Sequence, residues 1–248
     1  MTTKLLKHEF IAMGRTVPLI YAGALLAALV NRFYYALDID YLNSISYTSF
    51  AIAFAGIFAT PLLTLVFVVR RYYRSTVGRE GFLTAVLPVA PNKIFISKVI
   101  SGYIWMLGSV IASFFIIFVL FGLNDIPLFS KMLTNLFDAI KENLPTFLLI
   151  ITAGAAYLFN AMMSFYFSVT MSASCGLRKF GAGGAVIVYV IYYFASQIIS
   201  SIAIAAPMMS FDISGNAFFA YIALYQLIIS SVFILVTRYL FEYKASVR

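Results

Sequence analysis

The residues from which enzymes assemble active sites are nearly missing from this sequence: one cysteine, one histidine and nine acidic residues in 248. A lone Cys175 excludes an intramolecular disulfide and any CxxC metal cluster, and His8 has no partner with which to form a zinc site. The thiol is expected as a small buried hydrophobe. No carboxylate falls in the middle of an apolar run, so a serine or threonine has no base to activate it, and the chain reads as no enzyme. The phosphate-cradling pattern GxxxxGK[ST] is absent as well, so the chain does not bind a nucleotide in the P-loop manner. Charge is scarce overall, at 10% of residues where a water-soluble domain carries about a quarter.

What fills the space is apolar. Hydrophobic residues make up 63% of the sequence and its mean hydropathy is +0.98. Crossing about 30 Å of hydrocarbon takes roughly 20 such residues. Six runs qualify: Val17–Leu37, Tyr47–Val69, Ile94–Phe121, Thr146–Met171, Gly184–Ala206 and Ala217–Tyr239. Their uniform apolarity, without two-residue alternation, predicts helices rather than barrel strands. The expected fold is an all-α membrane protein, a single six-helix transmembrane domain covering residues 1–248.

Orientation follows from the basic residues. With the amino terminus in the cytoplasm, every Lys and Arg except Arg32, Lys131 and Lys141 falls on the inner side, so both termini are expected to be cytoplasmic. Six of the nine acids, Asp38, Asp40, Asp125, Asp138, Glu142 and Asp212, fall outside. The net charge of +8 is therefore a topology signal, and nucleic acid is not expected as a partner. Residues 4–30 have the outline of a signal peptide, but Glu9 interrupts its basic region and the segment is expected to stay as the first span.

Two amphipathic segments flank the spans. In residues 1–15, Leu6, Phe10, Met13 and Val17 share one helical face, with Lys4, Lys7 and His8 opposite, as in a helix lying in the inner interface. In residues 123–144, Phe129, Met132, Leu133, Leu136, Phe137, Ile140 and Leu144 share a face opposite Lys131, Asn135, Asp138 and Glu142. That pattern suits an extracytoplasmic helix resting on the outer leaflet or capping the bundle.

The inner connection at residues 70–92 is the most basic. Arg70, Arg71 and Arg74 extend the second span, Gly78 breaks it, and Pro88 and Pro91 close the segment, leaving Asn92 to cap the third span. Between these breaks, Phe82 with Val86 and Leu83 with Leu87 are i, i+4 pairs, which gives a short helix one apolar flank opposite Glu80 and Thr84. Two or three turns cannot cross a bilayer. The helix must lie on the surface, where headgroups or a protein cover that flank.

The run "RYYRSTVGREGFLTAVLPVAPNKIFISKVISGYIW", residues 71–105, resembles the ABC-2-type permeases, membrane subunits of bacterial ATP-binding-cassette exporters. Shared features are Tyr-Arg, a Gly/acid pair, an aromatic and a leucine before "LPV-P", and a Ser-Lys opening a span that ends in Trp. Elsewhere the likeness is architectural. It implies that this segment is a coupling helix seated in a groove of a separate ATPase subunit, with Glu80, Gly81, Phe82, Leu83, Val86, Leu87 and Pro88 in contact and Arg74 and Arg79 nearby. Arg79 departs from the family, which more often has an acid there. The resemblance further implies ATP and magnesium in the partner chain and none in this one, a second permease subunit, and export of an amphipathic peptide, antibiotic or lipid-like compound across a bacterial cytoplasmic membrane.

The spans themselves carry no mid-membrane charge of the kind that proton- or sodium-coupled carriers use, which fits an external energy source. Asn160, Gln197 and Gln226 lie mid-span and should turn inward, either as glue between helices or, with Tyr157, Tyr192, Tyr193 and Phe194, as the wall of a substrate path. Pro61 after Thr60 should kink the second span, and Gly181–Gly184 should permit close helix approach. An importer-type membrane component, or a channel or scaffold working without an ATPase, are the competing readings.

Overall fold

The computed structural model describes residues 2–37, 43–78, 81, 89–122, 126–210 and 215–243, and the described residues contain helices and short connections, with no strand. In chain order the helices are α1 (Thr2–Gly14), α2 (Val17–Leu37), α3 (Asn43–Thr76), α4 (Pro91–Ile117), α5 (Ile126–Glu142), α6 (Leu144–Ser174), α7 (Ala182–Ser210) and α8 (Gly215–Tyr243). A π-helical turn at Phe118–Gly122 extends α4, and a 3-10 turn at Leu177–Phe180 precedes α7. Six helices among the described residues are long and apolar enough to cross a membrane, in the positions the hydrophobic runs indicate.

The chain divides into two compact units. One comprises residues 7–68 and 104–144, the other residues 1–6, 69–103 and 145–248. The first unit packs tightly on small residues. Ala28, Ala53, Ile116, Val119 and Leu120 form its buried core. Gly56 lies so close to α2 that an added methyl would sit 2.9 Å from the Ala24 side chain. Polar side chains here mend the backbone. Pro61 lacks the N–H that would bond the Ile57 carbonyl, and that carbonyl instead accepts from Ser113 Oγ at 2.9 Å and Thr60 Oγ1 at 3.3 Å. Ser113 and Thr60 also bond each other at 2.7 Å, so α3 runs through its proline as one helix. Asn31 donates from Nδ2 to the Ser46 carbonyl at 2.8 Å and fastens α2 to the start of α3.

Both amphipathic segments are helical, and their apolar faces meet different fates. In α1, Met13 is buried and the Phe10 ring lies 5.6 Å from that of Trp105 in α4, while Lys4, Lys7 and His8 are exposed. In α5, Met132, Leu133, Leu136 and Phe137 are all exposed, and Phe129 touches Phe118. Most of the apolar face of α5 is therefore exposed.

The second unit is fastened where α3 ends and α4 begins. Tyr72 and Tyr166 stack with centroids 3.9 Å apart and planes within 10°. The Tyr72 hydroxyl bonds Thr170 Oγ1 at 2.8 Å. Lys98, grouped by sequence with the cytoplasmic charges, is only 4% exposed; its Nζ donates to Ser75 Oγ at 2.8 Å and its carbonyl accepts from the Tyr166 hydroxyl. Gly181 turns the chain with φ +57, and Gly184 is pressed against α6, where a methyl would sit 2.6 Å from both Ser172 Oγ and the Leu177 carbonyl. The close approach expected of the glycine cluster thus falls within this chain. Two local expectations are corrected. Asn92 is not the cap of α4, because the helix already starts at Pro91 and the buried Asn92 Oδ1 has no partner. Cys175 is exposed, because it falls on the turn by which the chain leaves α6.

Candidate functional site

Helices α6, α7 and α8 line a half-open cavity of about 170 Å³ at mid-helix depth. From α6 it receives Tyr157, Asn160, Ala161 and Ser164, from α7 Tyr189, Tyr192, Tyr193, Ser196, Gln197 and Ser200, and from α8 Tyr225, Gln226 and Ile229. The spacing is helical: Tyr157, Asn160, Ala161 and Ser164 recur at three and four residues, as do Tyr189, Tyr192, Tyr193, Ser196, Gln197 and Ser200, so one face of each helix is polar. None of the described residues that line the space is formally charged.

The floor and the mouth differ. Ser164 is buried, and Asn160, Tyr189, Tyr192, Ser196, Ser200, Tyr225 and Gln226 are half-buried. Tyr157 and Tyr193, 62% and 46% exposed, stand with the exposed Gln197 at the rim. Asn160 donates from Nδ2 to Gln226 Oε1, joining α6 to α8, while its own Oδ1 is buried without a partner. Three serine protons are spent on their own helices: Ser164 donates to the Ala161 carbonyl at 2.8 Å, Ser196 to Tyr193 at 2.8 Å and Ser200 to Gln197 at 3.1 Å. Ser196 and Ser200 also bond the Tyr192 and Tyr225 hydroxyls, which ties the ring tips to α7. The rings are braced from behind. Tyr189 stacks on Phe165 at 4.0 Å, and Tyr192 meets Phe233 edge-on at 5.0 Å.

All five residues expected along a substrate path, Tyr157, Asn160, Tyr193, Gln197 and Gln226, line this one cavity. The Asn160 to Gln226 bond joins two helices that also wall the space. Gln197 differs from the expectation that each amide turns inward, because the rim gives it an exposed place. Ser164, Ser196, Ser200, Tyr189 and Tyr225 were not singled out; their recurrence every three or four residues beside the amides is the signal that marks them.

Of the residues assigned to the coupling segment, Arg79, Glu80, Phe82, Leu83, Val86, Leu87 and Pro88 lie outside the described residues. Arg74 is exposed in the last turn of α3. Gly81 donates from its backbone to the Gly78 carbonyl at 3.0 Å, and a methyl there would fall 2.6 Å from the Thr76 carbonyl, so the position requires glycine. No group of three or more His, Cys, Asp or Glu gathers as a metal site among the described residues.

Family models, curated proteins and solved structures give no match to this chain. Its class rests on its own features: six membrane-length apolar helices make it a multi-pass membrane protein. Three of those helices surround an uncharged polar cavity.

Proposed function

We propose that the chain is the permease subunit of a bacterial ATP-binding-cassette exporter of the ABC-2 type, with an amphipathic substrate held in the α6, α7 and α8 cavity. Both termini are cytoplasmic in this reading. In this reading the connection at residues 70–92 is the coupling segment that meets an ATPase subunit, which supplies ATP and magnesium chemistry, and a second permease subunit completes the assembly in the cytoplasmic membrane.

The observation that carries the reading is the polar knot flanking the 77–90 connection. Ser75 and Tyr72 end α3, Lys98 opens α4, and the hydrogen bonds and ring stack among them reach Tyr166 and Thr170 of α6. Two turns earlier, α6 presents Asn160 and Ser164 to the cavity. A push on the connection is thereby delivered to the helix that lines the cavity, through packed and hydrogen-bonded groups rather than a slack loop. The ABC-2 likeness of residues 71–105 supports the same reading.

The test is purification of the full chain with its genomic neighbours from native membranes. A co-purifying protein with a P-loop, lost from the Phe82→Asp, Leu83→Asp double variant while the variant still elutes as a monodisperse peak, is the expected result. No P-loop protein, or one retained undiminished by the variant, overturns the proposal.

A further inference from the structure

The cavity has an electrical character that its lining makes specific. Five tyrosines, Tyr157, Tyr189, Tyr192, Tyr193 and Tyr225, line the space, and an aromatic ring carries an electron-rich face. The three serines donate their protons to backbone carbonyls, Ser196 and Ser200 also bond the Tyr192 and Tyr225 hydroxyls, and Asn160 Oδ1 is a buried acceptor without a donor. Among the described residues, no basic side chain lines the space to receive an anion and no carboxylate lines it to offset the lost hydration of a compact ammonium ion. Fixed rings together with uncharged acceptors suit a cation that is flat, rich in N–H donors, weakly hydrated and able to stack. Guanidinium has those four properties.

We propose that the cavity is a guanidinium-binding subsite, taking an arginine-like group of the substrate. The inference rests on the transport reading for what the group belongs to. The size agrees: a dry cavity of about 150 Å³ admits benzene, and this one has about 170 Å³ for a planar group of the same order. Tyr189 lies 6.2 Å from Tyr192 and 6.4 Å from Tyr193 between ring centroids, and Phe165 and Phe233 hold the first two rings in place. The site thus meets a guest with its walls already set, which lowers the cost of ordering them.

The experiment uses the purified full chain in maltoside micelles, which contribute no amine or charge, without any ATPase. Binding of radiolabelled methylguanidinium is measured by scintillation proximity, with its neutral shape-mimic N-methylurea and with choline as competitors. Methylguanidinium is expected to bind about tenfold tighter than either, a gain between those of exposed and of fully desolvated cation–π contacts. Tyr192→Leu should weaken it by about fivefold and Tyr192→Phe by less than about twofold, because the ring face and not the hydroxyl is the contact. Should Tyr192→Leu fail to fold, Tyr193→Leu at the rim replaces it, with Tyr193→Phe as its ring-retaining partner. Equal affinity for N-methylurea, tighter binding of choline, or equal loss in the Phe and Leu variants overturns the subsite. Specific binding in a chain that captures no ATPase leaves the subsite intact and overturns only the transporter reading; capture of the ATPase without cation selectivity does the reverse.

Discussion

The two units place polar side chains in apolar helices for opposite ends. In the unit of residues 7–68 and 104–144, Ser113 and Thr60 repair the carbonyl that Pro61 orphans, and Asn31 occupies itself with Ser46. In the unit of residues 1–6, 69–103 and 145–248, serines and amides surround empty space, and at least one oxygen, Asn160 Oδ1, is left over. The contrast teaches that polarity within a span marks a binding site only when bonding capacity remains and there is room to use it. Ser113 and Ser196 are the same residue type within apolar helices; the first bonds the Ile57 carbonyl, and the second lines the cavity.

The sharpest way to break this comparison is to remove rings. Tyr166→Ala deletes a fully packed stack and should cost on the order of 3 kcal/mol, as other buried aromatic truncations do. Tyr157→Ala at the cavity rim should stay within about 0.5 kcal/mol. Thermal unfolding of the purified chain in maltoside measures both, and similar losses would mean that the cavity wall is structural. Next comes Gly184→Ala, whose methyl meets a backbone carbonyl and a serine at 2.6 Å and should destabilise by about 1–3 kcal/mol. Gly154→Ala, with nothing within 4 Å in a helix interior, should gain up to about 1 kcal/mol by the same assay.

Smaller differences separate the serines. Ser113→Ala leaves the Ile57 carbonyl with only the longer Thr60 bond and should cost about 1 kcal/mol, whereas Ser196→Ala removes a bond to its own helix and should be near neutral. The smallest effect is the amide pair. A double-mutant cycle on Asn160→Leu and Gln226→Leu should give a coupling of about 0.6 kcal/mol, typical of hydrogen bonds between membrane helices. A coupling several times larger would make the pair the main clasp between α6 and α8 and leave little capacity for a guest.

Much of this architecture was legible in the sequence because the membrane imposes a one-dimensional rule. A run of Val, Ile, Leu and Phe long enough to cross must be a helix, so the six spans follow from length alone. The amides at 160, 197 and 226 were legible for a related reason: each is costly in hydrocarbon. What was hidden depends on who sits opposite. Lys98 reads as an inner-side charge at the start of the third span until Ser75 and Tyr166 are seen around it, because a lysine's burial is set by neighbours distant in the chain. Asn92 and Cys175 misled for a local reason, since a shift of one or two residues at a helix end turns a cap into an interior residue and a core thiol into an exposed one. The cavity serines escaped because serine in a span usually bonds its own helix, and these do so while also facing a void.

The tryptophan offers something further. Trp105 is the single indole of the chain; Phe10 lies against it, a methyl on Gly14 would come within 3.6 Å of its ring, and its Nε1–H is buried without an acceptor. An indole so placed is a built-in optical gauge. Its emission should sit at the blue end while α1 is docked and shift to the red, with easier quenching by acrylamide, whenever α1 lifts away. The departure of a single thirteen-residue helix can therefore be timed in the native protein, without attaching a dye.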